Sequence, residues 1–251
     1  MPTLILGPRH TEDGQRLWRA AGELGWKTER LASWRIPDYL RGVPEPVVYA
    51  EALFAPALAA ELGLMLAEPP AAWLVSLPDE YRKRAVMLTT VGEVRANPAP
   101  MFVKPPNDKS FPAAVRTGPG IPAWVPDDTP VLVQEVVEWE VEFRCFVLDR
   151  RVRTFSIYLR DGELQKDAGW ASTDEEDAEL LAFTGRLLAD ERVTLPRAVV
   201  LDAGAIRGRG WAAVELNAAW GSGVYGCDPA AVLEVLRHAA APAVRRTSPR
   251  P

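Results

Sequence analysis

The period of the apolar positions changes along the chain, and the changes divide it into segments. Leu4-Ile5-Leu6 is a short apolar run closed by Gly7-Pro8, the pattern of a strand ending in a turn. Over residues 11–24, Leu17, Trp18, Ala21 and Leu24 recur at helical spacing, with Thr11 as candidate cap, Gly14 as a weak point and Gly25 as the stop. PVVYAE at 46–51 predicts a second strand, and PALAAELGLML at 56–66 the next helix. This strand–helix–strand–helix order predicts a parallel sheet. Residues 71–96 read as a short helix, a Pro-Asp turn and a second helix capped by Asp79, and MFVKPP at 101–106 as a strand stopped by prolines.

Residues 107–130 are rich in Pro, Gly and Asp and predict a long loop of the kind that carries function or stays disordered. Alternation then takes over. PVLVQEVV, EVEFRCFVLD and RRVRTFSIYLR predict antiparallel strands, with Asp149-Arg150 and Asp161-Gly162 as hairpin turns. A helix is predicted over 174–190, with Asp174 as cap and Leu180, Leu181, Phe183, Leu187 and Leu188 facing inward. RAVVLDAGA and GWAAVELNA are two further strands joined by the turn IRGRG, and DPAAVLEVLRHAA is a closing helix capped by Asp228 with Pro229 at its first position. The fold class expected is therefore α/β in the first part and α+β in the rest.

Composition narrows the classes. The chain has 251 residues, 48% hydrophobic and 25% charged, as in an ordinary globular protein. Its net charge of -5 argues against a general nucleic-acid binder. Cys145 and Cys227 form no C-x-x-C pair, so neither a zinc nor a redox motif is present, and a reducing cytoplasm is expected. MPTLILGPRH lacks the basic start and long apolar core of a signal peptide, and no apolar run reaches the length of a membrane span. The tail RRTSPRP reads as frayed. The oligomeric state is left open.

Candidate chemistry concentrates in VVLDAGAIRGRGWAAVELNAAWGSG. Asp202 and Glu215 fall on adjacent strands, and alternation puts Glu215 and Asn217 on one face. Oxygen donors inside apolar strands are expensive unless used. Carboxylates on one sheet face suit a hard cation such as Mg²⁺, with substrate phosphates completing its shell.

In type and order, Asp202, Glu215-Leu216-Asn217 and Gly221-Ser222-Gly223 resemble the last strands of the ATP-grasp superfamily. Phe102-Val103-Lys104-Pro105 resembles the strand whose lysine reaches the ATP phosphates, and Val133-Gln134-Glu135-Val136-Val137 resembles the hinge that grips adenine. LPDEYRKRAV, the Lys-Ser-Phe at Lys109 and Glu142-Phe143-Arg144 resemble a clade of small ATP-grasp proteins noted for paired arginines and a lysine. The loop around Lys109 is Pro-rich, which departs from the commoner glycine-rich pattern. The resemblance spans about residues 72–237.

It implies an ATP-grasp fold, with an N-terminal parallel lobe over 1–70 and two α+β lobes gripping ATP over 71–251. It further implies ATP and two Mg²⁺ ions held by Asp202, Glu215 and Asn217. The nucleotide would be contacted by Lys104, Lys109, Gln134, Glu135, Val136, Val137, Glu142, Arg144 and Arg153, with Arg144 and Lys109 acting in catalysis. Arg160 is a further phosphate candidate at even odds with a solvated strand residue. For Arg207 and Arg209 a solvated turn outweighs contact with the acid substrate. Trp220 and Tyr225 follow the metal motif and suit packing more than ligand contact. His10 and His238 receive no role. The activity implied is carboxylate–amine ligation through an acylphosphate, on amino acids or peptides, with no nucleic-acid or membrane partner. A phosphotransferase on the same fold, a non-catalytic nucleotide-binding adaptor and an unrelated α/β binding protein are the alternatives.

Overall fold

The computed structural model describes residues 1–106, 111–117 and 120–243. Lys109 and the tail RRTSPRP lie outside these described residues. The first sheet is parallel, with β1 (Thr3–Leu6) between β2 (Lys27–Arg30) and β3 (Pro46–Tyr49). Every residue of β1 is buried, as expected of the central strand of a parallel sheet. β2 escapes sequence reading because KTER has no apolar residue: it is an edge strand held by backbone pairing.

Helix α1 (Glu12–Glu23) is capped by Thr11, whose hydroxyl accepts from Gly14 N at 3.0 Å. Gly25 ends it with φ +72°. Leu17, Ala20 and Ala21 are buried, whereas Trp18 and Leu24 face solvent, which corrects the inward face expected for them. Helix α2 (Ala55–Glu61) stops earlier than its periodicity predicts. Gly63 takes φ +70°, and Leu64–Leu66 becomes β4.

Helices α3 (Trp73–Ser76) and α4 (Asp79–Arg82) follow, with Pro78 at the cap of α4 and Asp79 already its first residue. Residues 86–90, expected to be helical, form β5 (Val86–Thr90) because they pair with a strand far along the chain. After α5 (Val91–Ala96), a second sheet is completed by β6 (Met101–Lys104), β7 (Ala114–Arg116) and β8 (Pro130–Gln134), in the order β5-β8-β6-β7. β7 lies inside the predicted loop. Val91, Val94, Val103, Phe111, Val131 and Val133 form the small core of this sheet.

The third sheet is built from β9 (Trp139–Leu148), β10 (Arg151–Arg160), β11 (Glu163–Leu164), β12 (Ala198–Ile206) and β13 (Gly210–Asn217), ordered β11-β10-β9-β12-β13. All its pairings are antiparallel. Both hairpin turns use left-handed pairs, with φ 50° and 59° at Asp149-Arg150 and 47° and 80° at Asp161-Gly162, the twist that hairpins need.

Helix α6 (Asp174–Ala189) covers one face of this sheet. Its cap is Thr173, in a reciprocal box with Glu176, and Leu181 is exposed; both correct the sequence reading. On that face Phe143, Cys145, Val147 and Leu201 pack with Leu180, Phe183 and Leu187. The opposite face turns Phe146, Leu148 and Val200 into the core of the parallel lobe. That core also holds Val232, Leu233 and Leu236 of α7 (Pro229–Leu236), which Asp228 caps as expected. Strand β14 (Ala240–Pro242) pairs with β4. Among the described residues no helix is long and apolar enough to cross a membrane.

Candidate active site

Four strands present one row of polar side chains to the face opposite α6. Ser156 on β10 lies across from Arg144 on β9, Arg144 from Asp202 on β12, and Asp202 from Glu215 on β13. Directly opposed residues share a face, so alternation alone gathers them. One step along the row, Glu142 faces Gly204. A Cβ at Gly204 would overlap the Val141 carbonyl, so the strands approach here only because the position lacks a side chain.

The row is closely bonded. Arg144 donates from Nε and Nη2 to Asp202 Oδ1 and Oδ2 at 2.9 and 2.7 Å, a two-pronged ion pair. Asn217 Nδ2 donates to Asp202 Oδ2 at 3.0 Å and to Glu215 Oε1 at 2.8 Å. Lys104, from the second sheet, pairs with Glu215 Oε2. The Arg144 guanidinium lies over Tyr225 at 4.8 Å and Tyr158 at 5.5 Å, and those two rings stack on each other at 5.1 Å.

Burial and charge oppose each other throughout. Burial works against the charge of Arg144, and the Asp202 carboxylate outweighs it, holding the guanidinium charged. Burial raises the Asp202 carboxyl, and the Arg144 fork opposes the rise. Burial would also raise Glu215, but the Lys104 ammonium, helped by Asn217, leaves it below the ordinary carboxylate value. Glu142 differs. Burial lifts it to about 7, the neighbouring Asp202 and Glu215 add to the rise, and the 2.8 Å bond from Tyr158 Oη only moderates it.

The structure therefore brings Lys104, Glu142, Arg144, Asp202, Glu215 and Asn217 together. Gln134 is buried beside them, at the end of β8. Glu135 is tied to Arg209, whose guanidinium holds its carboxyl down at about 2, and Val136 is half exposed. Arg153 is not in the cluster: it pairs with Glu234 on α7 at 3.5 Å. Arg160 clasps Glu176 at the start of α6 through two bonds of 2.6 and 3.1 Å. Arg207 pairs with Glu138, Glu140 and Asp161 in an exposed turn. Trp220 is buried and donates to Ala67 O, a packing role.

Sequence reading missed Arg84. It is buried and donates to Gln134 Oε1 at 2.9 Å, Ala213 O at 2.7 Å and Val214 O at 3.0 Å, with Trp139 beneath it at 4.9 Å. It thus pins the second sheet to β13 next to Glu215. In RKRAV it looks like any surface arginine, and no local signal marks it. Tyr158 was also missed, although its strand alternation with Ser156 places it near the row.

As a cation site, the cluster offers two carboxylates and an amide. Among the described residues no group of three or more His, Cys, Asp and Glu gathers. The donor set suits Mg²⁺, which fills much of its shell with water and phosphate oxygens. Arg144 and Lys104 supply the positive charge at the carboxylates.

Two α+β sheets closing over a carboxylate–amide cluster, with a parallel lobe beside them, define a nucleotide-grasping class of fold. The model of an ATP-grasp domain, family 2 of the clade named for two arginines and a lysine, matches residues 81–235, and the chain belongs to that family. Solved structures agree on the fold. D-cycloserine synthetase DcsG is similar at TM-score 0.56 and 12% identity, over 94% of this chain and 98% of that one. A RimK domain ATP-grasp protein from Sphaerobacter thermophilus DSM 20745 is similar at 0.51 and 14%, over 94% and 98%. The ATP-grasp ligase PsnB, complexed with minimal precursor, Mg and ADP, is similar at 0.50 and 14%, over 94% and 98%. No curated protein matches the chain in sequence.

Proposed function

We propose that the protein is a Mg²⁺- and ATP-dependent ligase that activates a carboxylate as an acylphosphate and joins it to an amine, with amino acids or peptides as substrates. The observation that carries this reading is the bonded chain Lys104–Glu215–Asn217–Asp202–Arg144 between two sheets of an ATP-grasp fold. Ligation by PsnB, with Mg and ADP, on the same fold supports it. Residues 71–251 form the nucleotide-binding part and 1–70 the lobe beside it.

In this reading Asp202, Glu215 and Asn217 hold two Mg²⁺ ions. The ions supply charge neutralisation at the phosphates and orient them. Lys104 and Arg144 add fixed positive charge at the same place. Gln134 to Val137 line the adenine end, and Glu142, neutral or ionised near pH 7, borders the ribose side. No protein nucleophile is required. The substrate carboxylate oxygen attacks the γ-phosphorus, the bond to ADP breaks, and ADP leaves with the electron pair. An amine then attacks the acyl carbon and phosphate departs. The protein's part is positioning and charge stabilisation.

The test is Mg²⁺-dependent ADP release over a panel of amino acids and dipeptides, with mass spectrometry of products and hydroxylamine trapping. ADP together with a hydroxamate or a condensation product is expected. A stable phosphorylated product that hydroxylamine does not trap identifies a phosphotransferase instead. Bound ATP with no release from any mixture identifies an adaptor.

A further inference from the structure

A cavity of about 180 Å³ opens at the carboxyl ends of the parallel strands. Its wall runs from the end of β1 through the start of α1 to the end of β3, and is closed by the glycines that follow β13. In the order β2-β1-β3 the chain leaves β1 toward opposite sides, so the crevice above β1 and β3 is a switch point, the usual ligand position in an open parallel sheet.

Its charges are sorted by depth. At the inner end Asp13 Oδ2 accepts from Val224 N at 2.9 Å and lies 3.5 Å from Tyr49 Oη. A Cβ built on Gly223 would sit 3.6 Å from Asp13 Oδ2 and 3.5 Å from Arg144 Nη1, so the cavity and the Arg144–Asp202 pair meet across one glycine. At the outer end are Arg9, 73% exposed and paired with Glu51 at 3.0 Å, and Arg30, fixed by bonds to Gly7 O and Arg9 O. Two acids and two arginines give no net charge, which disfavours a polyanion. A carboxylate has room for about four hydrogen bonds, so the backbone contact of Asp13 leaves it free to take a cation.

We propose that this cavity holds the amine substrate, a zwitterion with a free amino group and a free carboxylate. Its amine lies inward at Asp13, beside Arg144. Its carboxylate lies outward at Arg9 and Arg30. This assignment rests on the ligase reading for its purpose, but not for its test. An amino acid or short peptide entering by its N-terminus fits; a polyamine, a thiol or a nucleotide does not.

The test is calorimetric titration of the whole protein, without turnover, using the common amino acids and glycyl dipeptides, then the N-acetylated and C-amidated form of each binder. Free zwitterions are expected to bind, and each blocked form to bind at least about tenfold more weakly, the loss of one charge-assisted contact. Asp13→Asn keeps an oxygen to accept from Val224 N while losing the charge, and is expected to weaken the free amine at least about tenfold with an unchanged melting temperature. Arg9→Gln, at an exposed position, is expected to weaken free zwitterions and leave C-amidated forms unaffected. No binding by any panel member, or equal binding of free and blocked forms, overturns the proposal, as does Asp13→Asn binding like the parent. Hydroxamate formation from ATP, which needs no amine at this cavity, reports on the ligase reading separately.

Discussion

Lys104 and Glu215 form an ion pair across the cleft between the second and third sheets, although 111 residues separate them in sequence. The pair ties the strand that carries the phosphate-side lysine to the strand that carries the metal motif. Both side chains are largely shielded, at 14% and 28% exposure, so the pair is not an ordinary surface contact.

Glu215→Gln removes a charge at constant shape. It is expected to lower Mg²⁺-dependent ADP release by about a hundredfold or more, the scale of losing one preorganised charge in an active site, with the melting temperature little changed. Lys104→Ala is expected to weaken ATP affinity about tenfold or more. Steady-state kinetics and nucleotide titration check the two. ATP affinity unchanged in Lys104→Ala would detach Lys104 from the nucleotide.

Arg84 holds the two sheets together through a side-chain acceptor and two backbone carbonyls of β13. Arg84→Met keeps much of the volume but strands those acceptors in a buried place. A loss of about 3 kcal/mol in unfolding free energy is expected, read from the denaturant midpoint. A change below about 0.5 kcal/mol would mean that water replaces the guanidinium without cost.

Glu142 gives a pH dependence of definite sign. Its carboxyl stands at about 7 in the folded protein against an ordinary 4.5. Between those values the folded state keeps a proton that the unfolded chain has lost. Stability therefore falls as pH rises through this window and levels off above about 7. The size is at most about 3 kcal/mol. Thermal melts from about pH 5 to 8 should show the slope in the parent and its absence in Glu142→Gln.

Gly204 has no space for a methyl group, because the Val141 carbonyl already occupies it. Gly204→Ala is expected to cost about 2 kcal/mol or more and to displace Glu142 from its partner strand. The midpoint of chemical denaturation measures the first effect. The second is read from the Glu142 titration.

The site was legible where alternation and strand order did the gathering. Asp202, Glu215, Asn217 and Arg144 share a face because adjacent strands put opposed residues together, and the period of two is visible in the letters. The hairpin turns and the caps at Thr11 and Asp228 were legible for the same local reason. What failed depended on distant partners. β5 was read as helix because VMLTT pairs with residues more than forty positions away. The polar edge strand β2 offered no apolar signal at all. Arg84 and Arg153 look alike in sequence, yet one is buried between sheets and the other pairs with a surface glutamate.

The row from Lys104 to Arg144 contains two cationic and two anionic side chains, so it is electroneutral before anything enters. A bare divalent ion finds no surplus negative charge there and must compete with ammonium and guanidinium for each carboxylate. A nucleotide that carries the ion with it exchanges partners in one motion: its phosphates take Lys104 and Arg144, and the carboxylates thus released take the metal. The self-paired cluster therefore acts as an ion exchanger with a built-in preference for the loaded form of its ligand, which sets an order of addition without any moving lid.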